Sequence, residues 1–97
     1  MIKGYIFDPI AILEITEAAV WYGVRSEIAG ENFRLEVFRT IELICKHPHR
    51  ARNEYKNFRE IILRKFPYTL VYFVENETII ITSVFHQKRN PKKKYDK

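Results

Sequence analysis

One histidine, a scatter of arginines and a late tyrosine are the residues of this chain with chemistry to offer. His86 can exchange protons near neutrality, because an unperturbed imidazole has a pKa of about 6.5. Arg59, Arg64 and Arg89 each present a planar fork of donors that matches phosphate oxygens. Tyr95 can stack on a base or donate a proton. A proton carrier beside such cations suits a reaction at phosphorus, where charge builds on oxygen. Each residue also has a structural reading. His86, at the end of a strand, can hydrogen-bond a carbonyl and fasten Arg89 and Pro91. Arg59 can pair across strands with Glu60, Glu75 or Glu77 as a surface ion pair, and Lys92, Lys93 and Lys94 read as a solvated run. His47 and His49 form a His-x-His pair whose nearest carboxylate in sequence is Glu54, with no convincing third ligand, so no metal site is expected. There is no glycine-rich phosphate loop, no nucleophile with a matched base and no paired carboxylates, and no cofactor is expected.

The elements that must position these residues centre on three strands in a row: Asn57 to Arg64, Pro67 to Glu75 and Thr78 to His86. Tyr68-Thr69-Leu70-Val71-Tyr72-Phe73-Val74 is almost wholly β-branched or aromatic, as is Thr78-Ile79-Ile80-Ile81-Thr82. Glu75, Asn76 and Glu77 read as a three-residue hairpin connection, with Asn76 best able to take a left-handed conformation. Pro67 has no amide hydrogen and belongs at a strand start, so Lys65 and Phe66 carry the preceding turn. Before these come a short edge strand, Ile2 to Phe7, and a helix signalled by Asp8 as cap and Pro9 in the first turn. The helix is expected to run to about Ile28, with Gly30 just past its end. It is apolar on two sides: Ala11, Ile12, Ile15, Ala18, Ala19 and Tyr22 make one stripe, and Leu13, Val20, Trp21, Val24 and Ile28 another.

A second helix, about Asn32 to His47, offers Phe33, Val37, Phe38, Ile41, Ile44 and Cys45 as cover for that second stripe. Ala29 to Glu31 would link the two as an antiparallel hairpin, and Pro48 ends it. His49 to Lys56 reads as a polar, basic loop. The expected fold is α+β: an N-terminal strand, then a two-helix antiparallel hairpin packed on one face of a mainly antiparallel sheet, in the order β-α-α-β-β-β. A hairpin covers only one face, while the middle strands are apolar on both. An open, partly aromatic face rimmed by Arg59, Arg64 and the tail follows as an expectation.

With 97 residues, 46% of them hydrophobic, the chain makes one small domain, residues 1–97, with a basic tail from about residue 87 and no apolar run of membrane-spanning length. A lone cysteine, Cys45, excludes an internal disulfide and fits a reducing compartment; with no export signal in view, a cytoplasmic location is expected. Charge is divided unevenly. Residues 1–45 carry four Lys and Arg against seven acids, and residues 46–97 carry thirteen against five, so the halves bear −3 and +8. The second half will attract a polyanion or an acidic protein.

Phe66-Pro67-Tyr68, then Tyr72, then Val84, Phe85, His86, Arg89 and Pro91, preceded by Trp21-Tyr22 and Phe33, resemble the RelE/ParE superfamily of bacterial toxins across essentially the whole chain. The pattern looks more like the ParE branch. The resemblance implies a toxin of a type II toxin–antitoxin module, held inactive in a hetero-oligomer by a cognate antitoxin whose extended, often acidic segment wraps it. ParE-like members bind DNA gyrase and block it; RelE-like members cut mRNA in the ribosomal A site. For a ribonuclease the resemblance implies His86, Arg59, Arg64 and Arg89 at the scissile phosphate. A gyrase-binding toxin is expected to use a surface that includes the helical hairpin and the basic tail, and the binding residues expected are Tyr72, Arg89, Lys92, Lys93, Lys94 and Tyr95. Tyr95 stands beyond the usual terminal aromatic of the nuclease branch, and the strand Asn57 to Arg64 lacks that branch's lysine pair. Both departures favour the gyrase-binding alternative.

Overall fold

The structure is a computed structural model and describes residues 1–88, the side chain of Glu54 excepted. Strand β1 (Gly4–Phe7) is followed by helices α1 (Pro9–Arg25) and α2 (Glu27–Lys46), then by strands β2 (Arg52–Tyr55), β3 (Phe58–Ile62), β4 (Tyr68–Glu75) and β5 (Thr78–His86). The five strands form one sheet in the order β1-β5-β4-β3-β2. β1 runs parallel to β5, and the other three pairings are antiparallel. This is the expected α+β architecture with one more strand. The segment read as a loop contains β2, which pairs with β3 across a bulge between Asn53 and Tyr55. Its residues, Arg-Asn-Glu-Tyr, show no apolar alternation, because an edge strand is held by backbone pairing to β3 rather than by burial of a face.

Turn chemistry sets the register. Lys65 has φ 68° in the turn before Pro67, where Lys65 and Phe66 were expected to carry the reversal. The β4–β5 connection is tighter than its composition suggests. Glu75 pairs directly with Thr78, leaving two residues, Asn76 and Glu77, at φ 50° and 64°. That is the primed geometry whose twist matches the flanking strands. Asn76 takes it readily; Glu77 takes it at a cost of about 1 kcal/mol. The start of the chain supports the turn, since the Lys3 amide donates to the Glu77 carbonyl at 2.7 Å and Lys3 Nζ lies 3.8 Å from its carboxylate.

The helices begin as their sequence dictates but divide elsewhere. Asp8 caps α1, accepting from the Ile10 amide at 2.9 Å, and Pro9 occupies the first turn, where a missing amide hydrogen is harmless. α1 stops at Arg25, three residues short of Ile28. Ser26, extended at φ −164°, is the whole link: its amide closes α1 on the Tyr22 carbonyl, and its hydroxyl accepts from the Ala29 amide to open α2. Neither Ala29 to Glu31 nor Gly30 is a linker. Gly30 is buried inside α2 because the helices nearly touch there. A Cβ at this position would lie 2.9 Å from the Gly23 Cα and 3.0 Å from the Ala19 carbonyl oxygen. The missing side chain at Gly30 thus sets how closely the hairpin closes against the Ala19–Gly23 turn of α1.

Phe33, Val37, Ile41 and Ile44, spaced to share one face of α2, meet Leu70, Tyr72, Ile79, Ile81 and Val84 of the sheet, and α1 adds Ala11, Ala18 and Ala19. Burying a side chain such as Phe33 contributes about 2–3 kcal/mol. An aromatic knot fastens the turn before β4 to the hairpin. Tyr22 stacks on Phe33 at 5.5 Å, and Phe66 meets both rings edge-on at 5.1 and 5.2 Å. Two glutamates tie helices to backbone amides. Glu14 accepts from the Ser83 hydroxyl at 2.8 Å and the Val84 amide at 3.0 Å; Glu36, only 6% exposed, accepts from the Arg64 amide and from Arg39 Nη1, each at 3.2 Å.

Two expectations about cover fail, for complementary reasons. α2 packs with the alanine stripe of α1 and the sheet, so it does not cover the second stripe. Leu13, Val20, Trp21, Val24 and Ile28 remain exposed on the outer side of the hairpin. The far face of the sheet, conversely, is closed at its centre: Val71 is 0% and Phe85 5% exposed, while Phe73 and Ile80 are half-buried. The large unpartnered apolar surface lies on the helices and not on the sheet.

Candidate functional site

His86 is the last residue of β5, half-buried, and stands opposite Tyr68 of β4. The two rings meet edge-on, 5.0 Å apart at 83°. Nδ1 accepts the Lys88 amide hydrogen at 3.1 Å, so in the neutral ring the proton sits on Nε2. The bond is local, to the residue two along the chain; the expected fastening of Arg89 and Pro91 falls outside the described residues. His86 lines a cavity of about 490 Å³ with Glu17, Trp21, Tyr22, Pro67 and Tyr68, between α1 and the end of the β4–β5 pair.

Arg59 lies elsewhere. Its Nη1 donates to the carbonyls of His49, at 3.1 Å, and Ala51, at 2.8 Å, so this arginine straps the segment between α2 and β2 and does not pair with Glu60, Glu75 or Glu77. In register Arg59 opposes Tyr72 while His86 opposes Tyr68. Four residues of β4 separate those positions, about 13 Å at the usual rise, with β3 and β5 on opposite flanks of β4. A single phosphate does not reach both. Arg64 joins neither group: it is exposed just beyond β3, and its contact is the amide bond to Glu36. Arg89, Lys92, Lys93, Lys94 and Tyr95 lie outside the described residues. Among the described ones, the residues picked for acid–base and phosphate chemistry do not converge.

Tyr72 has no exposed surface, and its hydroxyl donates to the Pro48 carbonyl at 2.7 Å. It pins the end of α2 to the sheet, and its buried ring forms part of the back wall of a cavity between α2, β2 and β3. Burial pushes its pKa above the ordinary 10.0, partly offset by the Arg59 charge. A raised folded-state pKa in a phenol is stabilising below the unfolded value, and that contribution is lost as pH climbs through the folded one. Melting temperature should therefore hold up to about pH 10 and fall beyond it. Tyr72→Phe should lose about 1 kcal/mol at neutral pH and soften the alkaline fall. A thermal melt series from pH 8 to 11 checks both effects.

A second cavity, about 470 Å³, lies where the end of α2 meets β2 and β3. Leu43, Ile44, Ile61 and Ile62 give it an apolar floor, and Arg50 and Arg52 line it as well. The sequence hid it because β2 was not legible as a strand. Trp21 and Tyr22 read as packing residues by their spacing, and they divide: Tyr22 joins the aromatic knot, whereas Trp21 is exposed, with the Arg25 guanidinium 3.5 Å above its ring.

The fold is shared with solved toxins. A toxin from the chromosomal ParDE toxin–antitoxin system of P. aeruginosa superposes with a TM-score of 0.75 at 14% identity, over 89% of this chain and 96% of that one. A chain of the intact E. coli RelBE toxin–antitoxin complex gives 0.64 at 21% identity, over 88% and 96%. The isolated E. coli RelE toxin gives 0.63 at 20% identity, over 92% and 88%. At these identities the likeness is one of fold. Among curated proteins no sequence matches. Residues 5–91, nearly the whole chain, match the family model described as ParE toxin of type II toxin-antitoxin system, parDE, and the chain belongs to that family.

Proposed function

We propose that this toxin arrests growth by binding DNA gyrase through the outer side of its helical hairpin, and that a cognate antitoxin neutralises it. The observation that carries this reading is the uncovered stripe Leu13, Val20, Trp21, Val24 and Ile28, with Val24 79% exposed. Large apolar side chains left bare along one helix, with Ile28 bare at the start of the next, are what a protein-binding surface offers. The dispersal of His86, Arg59 and Arg64 supports the same reading, since RNA cleavage needs a proton carrier and cations around one phosphate. No helix among the described residues is long and apolar enough to cross a membrane, and a gyrase inhibitor acts in the cytoplasm.

The test is a paired measurement on induced cells, with plasmid supercoiling and double-strand breaks followed beside primer-extension mapping of ribosome-bound mRNA. Altered supercoiling with intact message is expected. Codon-phased cuts with normal supercoiling would replace this reading by the ribonuclease one. For the antitoxin, the cavity with its apolar floor, with Arg50, and with Arg52 opposite Glu60, suits a largely apolar segment carrying an acidic residue toward Arg50. A neutralising partner at 100 times its Kd should stabilise the toxin by about 2.7 kcal/mol. Calorimetry of the co-purified complex against the free toxin would show whether the melting temperature rises.

A further inference from the structure

The cavity beside His86 has a chemical character of its own. Its walls are the rings of Trp21, Tyr22, Tyr68 and His86, closed by Pro67 and by Glu17 from the helix turn before Trp21. Neighbouring rings are steeply inclined: 86° between Trp21 and Tyr22, 59° between Tyr22 and Tyr68, 83° between Tyr68 and His86. These rings form a box, not a parallel stack. A box of inclined aromatic faces suits a compact positive charge, which is drawn to the electron-rich face of each ring. Glu17 is the carboxylate of the lining, and among the described residues no lysine or arginine lines the cavity. The chain itself shows the attraction at one wall, where Arg25 holds its guanidinium 3.5 Å from the centre of the Trp21 ring.

We propose that this cavity binds a compact organic cation, an alkylated ammonium or a guanidinium group, held by the faces of Trp21, Tyr22 and Tyr68 and by the charge of Glu17. The same chemistry is offered by a free quaternary ammonium compound and by a basic side chain of a protein partner. Trp21 belongs both to this cavity and to the outer stripe, but Leu13, Val20, Val24 and the Arg50–Arg52 cavity take no part in the site, so Val20→Glu with Val24→Glu tests the gyrase reading and Glu17→Gln tests this one.

Trp21 is the single tryptophan of the chain and reports directly on its own pocket. The full-length toxin would be titrated at constant ionic strength with tetramethylammonium chloride and, separately, with N-acetylarginine amide. Neopentyl alcohol serves as the neutral match for the first and N-acetylcitrulline amide for the second. A saturable change in Trp21 fluorescence is expected with a cation and not with its neutral counterpart. Saturation by tetramethylammonium alone assigns the site to a free quaternary ammonium ligand; saturation by the arginine amide alone assigns it to a basic side chain. Glu17 is exposed, so Glu17→Gln should fold normally and bind about tenfold more weakly, in line with loss of one charged contact. Shifts of the Ala18 and His86 amide resonances on titration would localise the ligand independently of fluorescence. No saturation with either cation, equal response to the neutral compounds, or unchanged binding in Glu17→Gln would each overturn the proposal.

Discussion

Gly30→Val should destabilise the domain by on the order of 3 kcal/mol, the scale of a strongly overpacked core site. The new Cβ would stand 2.9 Å from the Gly23 Cα and 3.0 Å from the Ala19 carbonyl, both backbone atoms that cannot rotate away. The helices would have to separate, and Phe33, Val37 and Ile41 would lift from the sheet with α2. For a domain whose whole stability is about 5–10 kcal/mol, a loss of this size shows as a large drop in urea midpoint. Gly23→Ala makes the control. A Cβ at Gly23 meets nothing within 4 Å, so this variant should gain up to about 1 kcal/mol from helix propensity alone. If both variants unfold at the wild-type midpoint, the helices are not packed as closely as the structure has them.

The second large effect concerns the target. Val20→Glu with Val24→Glu places two charges in the uncovered stripe without touching the core, so thermal stability should stay within about 0.5 kcal/mol of wild type. If the stripe is the gyrase-binding surface, buried charge at its centre should cost at least 2 kcal/mol, roughly a 30-fold weaker complex, and growth inhibition should disappear. His86→Ala should keep its toxicity, because the imidazole, at the end of β5, lies apart from Arg59 and Arg64. Colony counts after induction, beside gyrase pull-down by each variant, decide the matter. A lethal double glutamate variant would remove the hairpin from the mechanism; a folded but harmless His86→Ala would restore the imidazole to it.

How much of this was readable in advance differs from residue to residue. Asp8-Pro9 announced the start of α1, Pro67 the start of a strand, and the β-branched run of Thr78 to Thr82 the central strand, because capping, a missing amide hydrogen and χ1 stiffness are local properties. Asn76 was legible as a left-handed residue, but the tightness of its turn was not: Glu77 joins it there only because Glu75 and Thr78 are paired by the strands on either side. The Gly30 error has the same origin. A glycine after an apolar helix reads as a terminator, and only the approach of Gly23 from another helix shows that it makes room.

The candidate site divides in a similar way. Residue types told which chemistry was available, an imidazole, several guanidiniums and a basic second half, and the Phe66-Pro67-Tyr68 and His86 patterns told the family. Spacing along the chain carries no information on distance across a sheet. Only the strand order set His86 and Arg59 on opposite sides of β4, buried Tyr72, left the second stripe of α1 bare and gathered Glu17, Trp21 and Tyr22 from a helix around a histidine from the far end of β5. Local conformation follows from each residue and its neighbours. Convergence of side chains, and which apolar faces find partners, are consequences of packing the whole chain, and those were decided by the tertiary structure alone.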